Sequence, residues 1–407
     1  FMVRSTLRII FFILISLASA ESATFKELVK SQAKITPNIS IFIKNLSTNE
    51  VIVSYRANKS MIPASNQKII TTLTSLDLLG EEFKFSTYIF LLDKIDEKGI
   101  YSGNIYIDSR GDPSLSSSKL KDAVNFFKEK DLKVIQGNII INDTYFESPE
   151  YNKNWKNSWK GSYWAPYISS IAVDNNLYKS GDTLLLTDNP LYLLGVKFRK
   201  ILRSKGIIFK GNIVLKEIPL RDKLVPFKII YEINSQSLSK LVYIVNKESD
   251  NLYAEHLFKK FSAHYMRTRG SWIDSQKITR KFLTEKVKLN SKDFNLDDGS
   301  GLSKYNKITT KSIAKLLEYS TKQDYFEVFF NSLPIAGKDG TLLKRFKNKP
   351  LYLNLRAKTG YIKGVSSLSG FFKGKDNETY VFSIIVNDHN YSIRSFIDRL
   401  LSKIYYY

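Results

Sequence analysis

Two runs rich in β-branched residues open the readable part of the chain: Asn38-Ile39-Ser40-Ile41-Phe42-Ile43 and Glu50-Val51-Ile52-Val53-Ser54-Tyr55. The polar turn Ser47-Thr48-Asn49 between them predicts a hairpin. A short helix is expected before it, over 24–33. From Lys68 the apolar spacing lengthens to three and four, and the run stops at Gly80, which predicts a largely buried helix with a glycine end. Strand-like runs recur over 85–92, 100–107, 134–141 and 207–215, with helical spacing over 122–129 and 191–204. From 238 onward helices dominate: 251–261, 272–287, 310–322 and 326–332. Strand alternation returns over 353–358, 368–373 and 379–386. A closing helix over 392–404 gathers Ile393, Phe396, Ile397, Leu400, Leu401 and Ile404 on one face, expected to pack on the last strands. No internal repeat is visible.

A hairpin near one end, helices in the middle and strands near the other end imply one α/β domain, an antiparallel sheet flanked by helices, built from 21–83 and 236–407. Residues 84–235 then read as an inserted, strand-rich α+β domain. The loop over 145–164 holds Trp155, Trp159 and Trp164, read as packing between domains in preference to a sugar-stacking surface.

Composition narrows the partners. The chain has 407 residues, 43% of them hydrophobic, which excludes a disordered chain and allows a sizeable core. Its 62 Lys+Arg against 39 Asp+Glu give a formal charge of +23, suited to a polyanion or equally to a coding bias toward Lys, Asn and Ile. Arg4 and Arg8, the apolar run from Ile9 to Ile15 and the triplet Ala18-Ser19-Ala20 have the layout of a secretory signal peptide over 1–20. An uncleaved anchor is the alternative, and the run is short for a membrane span. Export would make nucleic acid no partner and leave no transmembrane span in the mature chain. There is no Cys, which excludes a thiol nucleophile, disulfides and thiolate metal sites. The three His, at 256, 264 and 389, form no H-E-x-x-H word.

Three short words carry the chemistry. Ser65-Asn66-Gln67-Lys68 reads S-x-x-K, a spacing that also occurs at Ser31/Lys34, Ser116/Lys119, Ser118/Lys121 and Ser237/Lys240. Pro63-Ala64 before it and a buried helix after it single out Ser65. Residues i and i+3 share a helix face, so Ser65 Oγ and Lys68 Nζ can meet, and burial beside cations would lower Lys68 enough to take the serine proton. Ser249-Asp250-Asn251 precedes a helix: it can be an ordinary cap, or Ser249 can relay a proton while Asn251 holds a substrate amide. Lys358-Thr359-Gly360 ends a strand-like run. Lys358 and Thr359 can donate to a carboxylate, and Gly360 permits close approach. The N–H groups of Tyr361 and Ser65 can form an oxyanion hole. The bland reading of this word is a turn with an exposed lysine.

In this order the three words resemble the signature of penicillin-binding proteins and class A β-lactamases. Longer words sharpen the likeness: Pro63 to Lys68, Asn246-Lys247-Glu248-Ser249-Asp250-Asn251-Leu252-Tyr253-Ala254-Glu255, Asp298-Gly299-Ser300-Gly301-Leu302-Ser303 and Leu333 to Leu342. They resemble the D-alanyl-D-alanine carboxypeptidase/endopeptidase family of the penicillin-binding protein 4 type, the class C low-molecular-mass penicillin-binding proteins, over nearly the whole chain after the leader.

The resemblance implies a β-lactamase/transpeptidase-like catalytic domain and a periplasmic serine enzyme. Its substrates would be peptidoglycan stem peptides, with β-lactams as covalent inhibitors and no metal or other cofactor. Ser65 would be acylated, Lys68 would be the base, Ser249 and Asn251 the second motif, and Lys358 the carboxylate anchor. Asp143 is the expected counterpart of an insert aspartate that contacts the diamino acid. The innermost accessory domain of larger members is expected to be reduced or missing near 173–189. Removal of terminal D-alanine is implied, and crosslink cleavage stays open. A β-lactamase is one rival, but Glu285-Lys286-Val287-Lys288-Leu289-Asn290 is one residue too long for the E-x-x-L-N word. A wall-binding protein with a vestigial site is the other.

Overall fold

A computed structural model describes residues 25, 27–142, 144–218, 229–389 and 393–407. The leader read over 1–20 lies outside the described residues, and so does Asp143.

The two ends of the chain meet in one five-stranded antiparallel sheet. Its order is Arg356–Ile362, Val365–Lys373, Thr379–Asn387, Ile39–Asn45, Val51–Tyr55. Ile39–Asn45 pairs with Thr379–Asn387 from Ile39↔Val386 to Asn45↔Tyr380. Side chains alternate across a strand, so each strand feeds two cores. Ile39, Ile41 and Ile43 join Phe382, Ile384 and Val386 under the closing helix Arg394–Ile404. That helix buries Phe396, Ile397, Leu400, Leu401 and Ile404, each stabilising by about 1.5–3 kcal/mol on burial. Phe42, Val381 and Ile385 face the opposite core, with Ile313, Leu316 and Leu317 of Thr310–Ser320 and Ile69, Ile70 and Leu73 of Gln67–Leu79.

The word Lys358-Thr359-Gly360 does not end its strand. It sits inside Arg356–Ile362, at the sheet's edge. The expected strand over 353–358 starts late because Leu353 takes a left-handed backbone, φ 60°. Among the described residues no helix is long and apolar enough to cross a membrane.

The middle of the chain builds a second sheet. Ser86–Leu91 pairs with Ile229–Asn234 on one side and Ile105–Ser109 on the other. The expected continuous strands over 100–107, 134–141 and 207–215 each break in two. Ile100–Tyr101, Val134–Ile135 and Ile208–Phe209 form a parallel three-stranded sheet. Ile105–Ser109, Ile139–Ile141 and Ile213–Leu215 run parallel in the larger one.

The breaks fall at Gly103-Asn104-Ile105, Gly137-Asn138-Ile139 and Gly211-Asn212-Ile213, so the chain does contain a repeat. Asn104 Oδ1 accepts from Asn138 N at 2.8 Å, and Asn138 Oδ1 from Asn212 N at 2.8 Å. A Cβ on Gly137 would fall 2.3 Å from Gly103 O, and one on Gly211 would fall 2.1 Å from Gly137 O. Three stacked passes thus need glycine. Where a reduced inner domain was expected, a hairpin of Leu177–Ser180 and Thr183–Leu186 stands.

Candidate active site

Ser65 lies in the single turn Ala64–Asn66 that leads into the helix Gln67–Leu79. Pro63 and the left-handed Ala64, φ 46°, make that turn. The turn is stitched to the edge strands by side chains. Asn66 Nδ2 donates to Lys358 O at 2.7 Å, Ser369 Oγ to Asn66 Oδ1 at 2.7 Å, and Ser367 Oγ to Pro63 O at 2.7 Å. A Cβ on Gly360 would lie 2.2 Å from Ser367 Oγ and 3.0 Å from Ser65 N. Any side chain there would push the strand off the serine, which is why the third letter of the word is glycine.

One turn on, Lys68 is fully buried. Its Nζ donates to Asn251 Oδ1 at 2.5 Å and Ser300 O at 2.8 Å, and lies 3.1 Å from Ser65 Oγ. Burial lowers Lys68 to about 8, opposed by the charges of Asp298, Glu255 and Asp250. Lys358 is buried too, and its Nζ donates to Ser249 Oγ at 2.9 Å. Burial, then repulsion from Lys68, pulls it well below its ordinary value.

The second word is a helix cap whose two flanking residues reach the buried lysines. Asp250 caps the helix Asn251–Tyr265, accepting from Tyr253 N at 2.9 Å. Ser249, with φ 59°, and Asn251 on either side turn to Lys358 and Lys68. The bonds form two groups, Ser65–Lys68–Asn251 and Ser249–Lys358, which the word Ser249-Asp250-Asn251 brings side by side. Ser65, Ser249, Thr359, Gly360 and Tyr361 line a cavity of about 460 Å³. Thr359 Oγ1 meets Thr341 Oγ1 at 2.7 Å, and Tyr361 is exposed.

Several contributors escaped the sequence reading. Glu255 accepts from Ser300 N at 2.7 Å, Gly299 N at 3.1 Å and Trp272 Nε1 at 2.7 Å, and burial beside Asp298 pushes it up to about 8. Asp298 accepts from Gly301 N, Ser303 N and Trp155 Nε1, each at 2.7 Å. These two carboxylates hold the loop that aims Ser300 O at Lys68. Both stand in words quoted above, yet they act through backbone groups, which leave no pattern of their own.

From the middle of the chain, Trp164 O accepts from Asn251 Nδ2 at 2.6 Å. Trp155 is buried against the catalytic helices, and Trp159 packs on Trp164 at 5.0 Å, so the tryptophans serve packing. Glu285, of the near-miss lactamase word, is exposed outside the cavity.

A profile of the D-Ala-D-Ala carboxypeptidase 3 (S13) family matches residues 22–183 and 181–404. The D-alanyl-D-alanine carboxypeptidase DacB of Haemophilus influenzae is 25% identical over 421 residues, spanning 87% of this chain and 86% of that protein. Among solved structures, penicillin-binding protein 4 (dacB) from Haemophilus influenzae superposes with a TM-score of 0.85 at 23% identity, covering 93% of this chain and 99% of that one. The same protein complexed with a novel β-lactam gives a TM-score of 0.79 at 22% identity, covering 94% and 99%.

Proposed function

The chain belongs to the D-Ala-D-Ala carboxypeptidase 3 (S13) family, and from that membership we propose that it is a serine-type D-alanyl-D-alanine carboxypeptidase acting on peptidoglycan stem peptides through an acyl-enzyme on Ser65. The observation that carries the reading is the bonding of Lys68 Nζ: Asn251 Oδ1 and Ser300 O take two of its directions and leave the third toward Ser65 Oγ. In the neutral amine the two N–H bonds serve those acceptors and the lone pair faces the serine. With Lys68 near 8, roughly a tenth of molecules hold it neutral at pH 7, enough for a base matched to its task.

Lys68 takes the Ser65 proton as Oγ attacks the peptide carbonyl. The N–H groups of Ser65 and Tyr361 stabilise the oxyanion, and Gly360 lets the strand approach to do so. Ser249, polarised by Lys358, passes a proton to the departing amine of D-alanine and regains one from the proton that Lys68 took, which leaves Lys68 neutral again. Lys358 and Thr359 hold the substrate's terminal carboxylate, and Asn251 and the edge strand hold its backbone. Water then replaces the amine: the neutral Lys68 takes its proton as it attacks the ester carbonyl, and that proton passes to Ser65 Oγ as the acyl group leaves. A β-lactam acylates Ser65 in the same way, but its leaving amine stays tethered and obstructs that water. Crosslink cleavage is the same step with a larger leaving group.

The reading includes export to the periplasm, supported by Arg4, Arg8 and the apolar run after them. It also treats 84–235 as an insert in a catalytic domain made of 21–83 and 236–407, supported by the pairing of Ser86–Leu91 with Ile229–Asn234. Asp143 as a contact to the diamino acid rests on resemblance alone. The test is Ser65→Ala. It should abolish covalent labelling by a fluorescent penicillin and release of D-alanine from a stem pentapeptide, with the fold kept. Labelling at a comparable rate would end the assignment.

A further inference from the structure

The cavity that holds Ser65, Ser249 and Thr359 is also lined by Lys344, Arg345 and Arg394. Its lining has three cations and no carboxylate. Arg345 is neutralised by Asp398. Lys344 and Arg394 are exposed, and neither has an ion pair among the described residues. The Arg394 guanidinium lies 5.9 Å from the ring centre of Tyr361, the residue directly after the K-T-G word. On a chain with 62 Lys+Arg a surface cation is ordinary. These two differ in sharing a cavity with the nucleophile while no acid neutralises them there.

The placement relative to the scissile bond gives them a role. In a D-alanyl-D-alanine end the carboxylate held by Lys358 and Thr359 belongs to the leaving residue. Lys344 lies three residues after Thr341, which bonds Thr359, and Arg394 stands over Tyr361, two residues after Thr359, so both border the leaving group's end of the cavity. A lone D-alanine ends at that carboxylate, so it has nothing to offer Lys344 or Arg394, and a cavity of about 460 Å³ far exceeds its size. We propose that the outer part of this cavity is a subsite for a leaving group that carries a second carboxylate, with Arg394 and Lys344 as its specificity-determining residues. The chemical class is a D-residue with an acidic side chain, in place of free D-alanine. The inference rests on the reading of Lys358 and Thr359 as the first carboxylate's anchor. Guanidinium and ammonium groups both suit this task, Arg394 in a bidentate manner.

The probes are two peptides, acetyl-L-lysyl-D-alanyl-D-alanine and acetyl-L-lysyl-D-alanyl-D-glutamate, used with the full chain. Wild type should cleave the second with the higher kcat/KM, and Arg394→Ala or Lys344→Ala should each lower that ratio about tenfold, the order of one charge-assisted pair. Arg394→Glu should invert the preference toward a leaving D-lysine. Equal ratios in wild type and both alanine variants would overturn the subsite. Equilibrium binding of the two peptides to Ser65→Ala separates this from the acyl-enzyme reading. If wild type is not acylated by penicillin and cleaves neither peptide, that reading fails, yet tighter binding of the D-glutamate peptide, lost in the added Arg394→Ala, still supports the subsite. Equal binding of both peptides removes it.

Discussion

Lys68 is where the site's chemistry is set. Burial lowers its proton affinity, and the charges of Asp298, Glu255 and Asp250 partly restore it. The balance places the group near 8, so the rate of acylation by penicillin should rise with pH through a midpoint near about 8. Glu255, itself pushed up to about 8, is partly ionised around that midpoint, and Glu255→Gln takes away this negative charge, which favours the protonated amine. The midpoint should therefore move to lower pH. Gln also faces three N–H donors with only one oxygen, so some stability is lost, but a midpoint is independent of the folded fraction. A midpoint that stays or rises in Glu255→Gln would remove Glu255 from control of Lys68. The words Ser65–Lys68, Ser249–Asn251 and Lys358–Gly360 could be read from the sequence because side chains of rare type sit at fixed spacing. Ser300 could not, since it contributes a carbonyl that any residue owns.

At the scale of elements, periodicity placed the nucleophile helix and the closing helix to within a few residues, because each buries one continuous face. It failed on the strands over 100–107, 134–141 and 207–215. Each run joins two β-rich pieces across a short polar Gly-Asn step, and there the chain bends at Gly103, Gly137 and Gly211 to stack on itself. Each repeated unit is Gly-Asn-Ile, too short to show as periodicity until the copies lie side by side. A Cβ on Gly137 would meet Gly103 and Asn104, so Gly137→Ala should force the first pass away from the second. An overpacked site of this kind costs about 1–3 kcal/mol. Hydrogen exchange should quicken in the strands Ile105–Ser109 and Ile139–Ile141, while penicillin labels Ser65 at nearly the wild-type rate. Unchanged exchange there would mean that the passes separate freely.

The molecule as a whole turns on the helix Asn251–Tyr265. Its start presents Asn251 to Lys68 and to Trp164 O. Further along, buried His256 Nδ1 bonds Gly111 O at 2.9 Å, tying the helix to the middle of the chain. Burial lowers His256 from 6.5 to about 4. Between these values the unfolded chain binds the extra proton, so stability falls as pH drops through that window, by about 3 kcal/mol in all by linkage. Urea midpoints at pH 7 and pH 4.5 should differ less in His256→Gln than in wild type. An equal difference would assign the acid sensitivity elsewhere. The closure of the sheet by both ends was legible, because its words come from both ends. The contribution of Trp164 was not, since a backbone oxygen has no signature in sequence.

The bond from Asn66 to the carbonyl of Lys358 spans 292 positions of sequence. A ribosome needs roughly 15 to 60 s to add that much chain. Throughout that interval the serine exists without the edge strand or the second lysine. It is an ordinary hydroxyl on a nascent polymer. The distance along the chain thus works as a clock, and the enzyme cannot be acylated before its last strands have been made and docked.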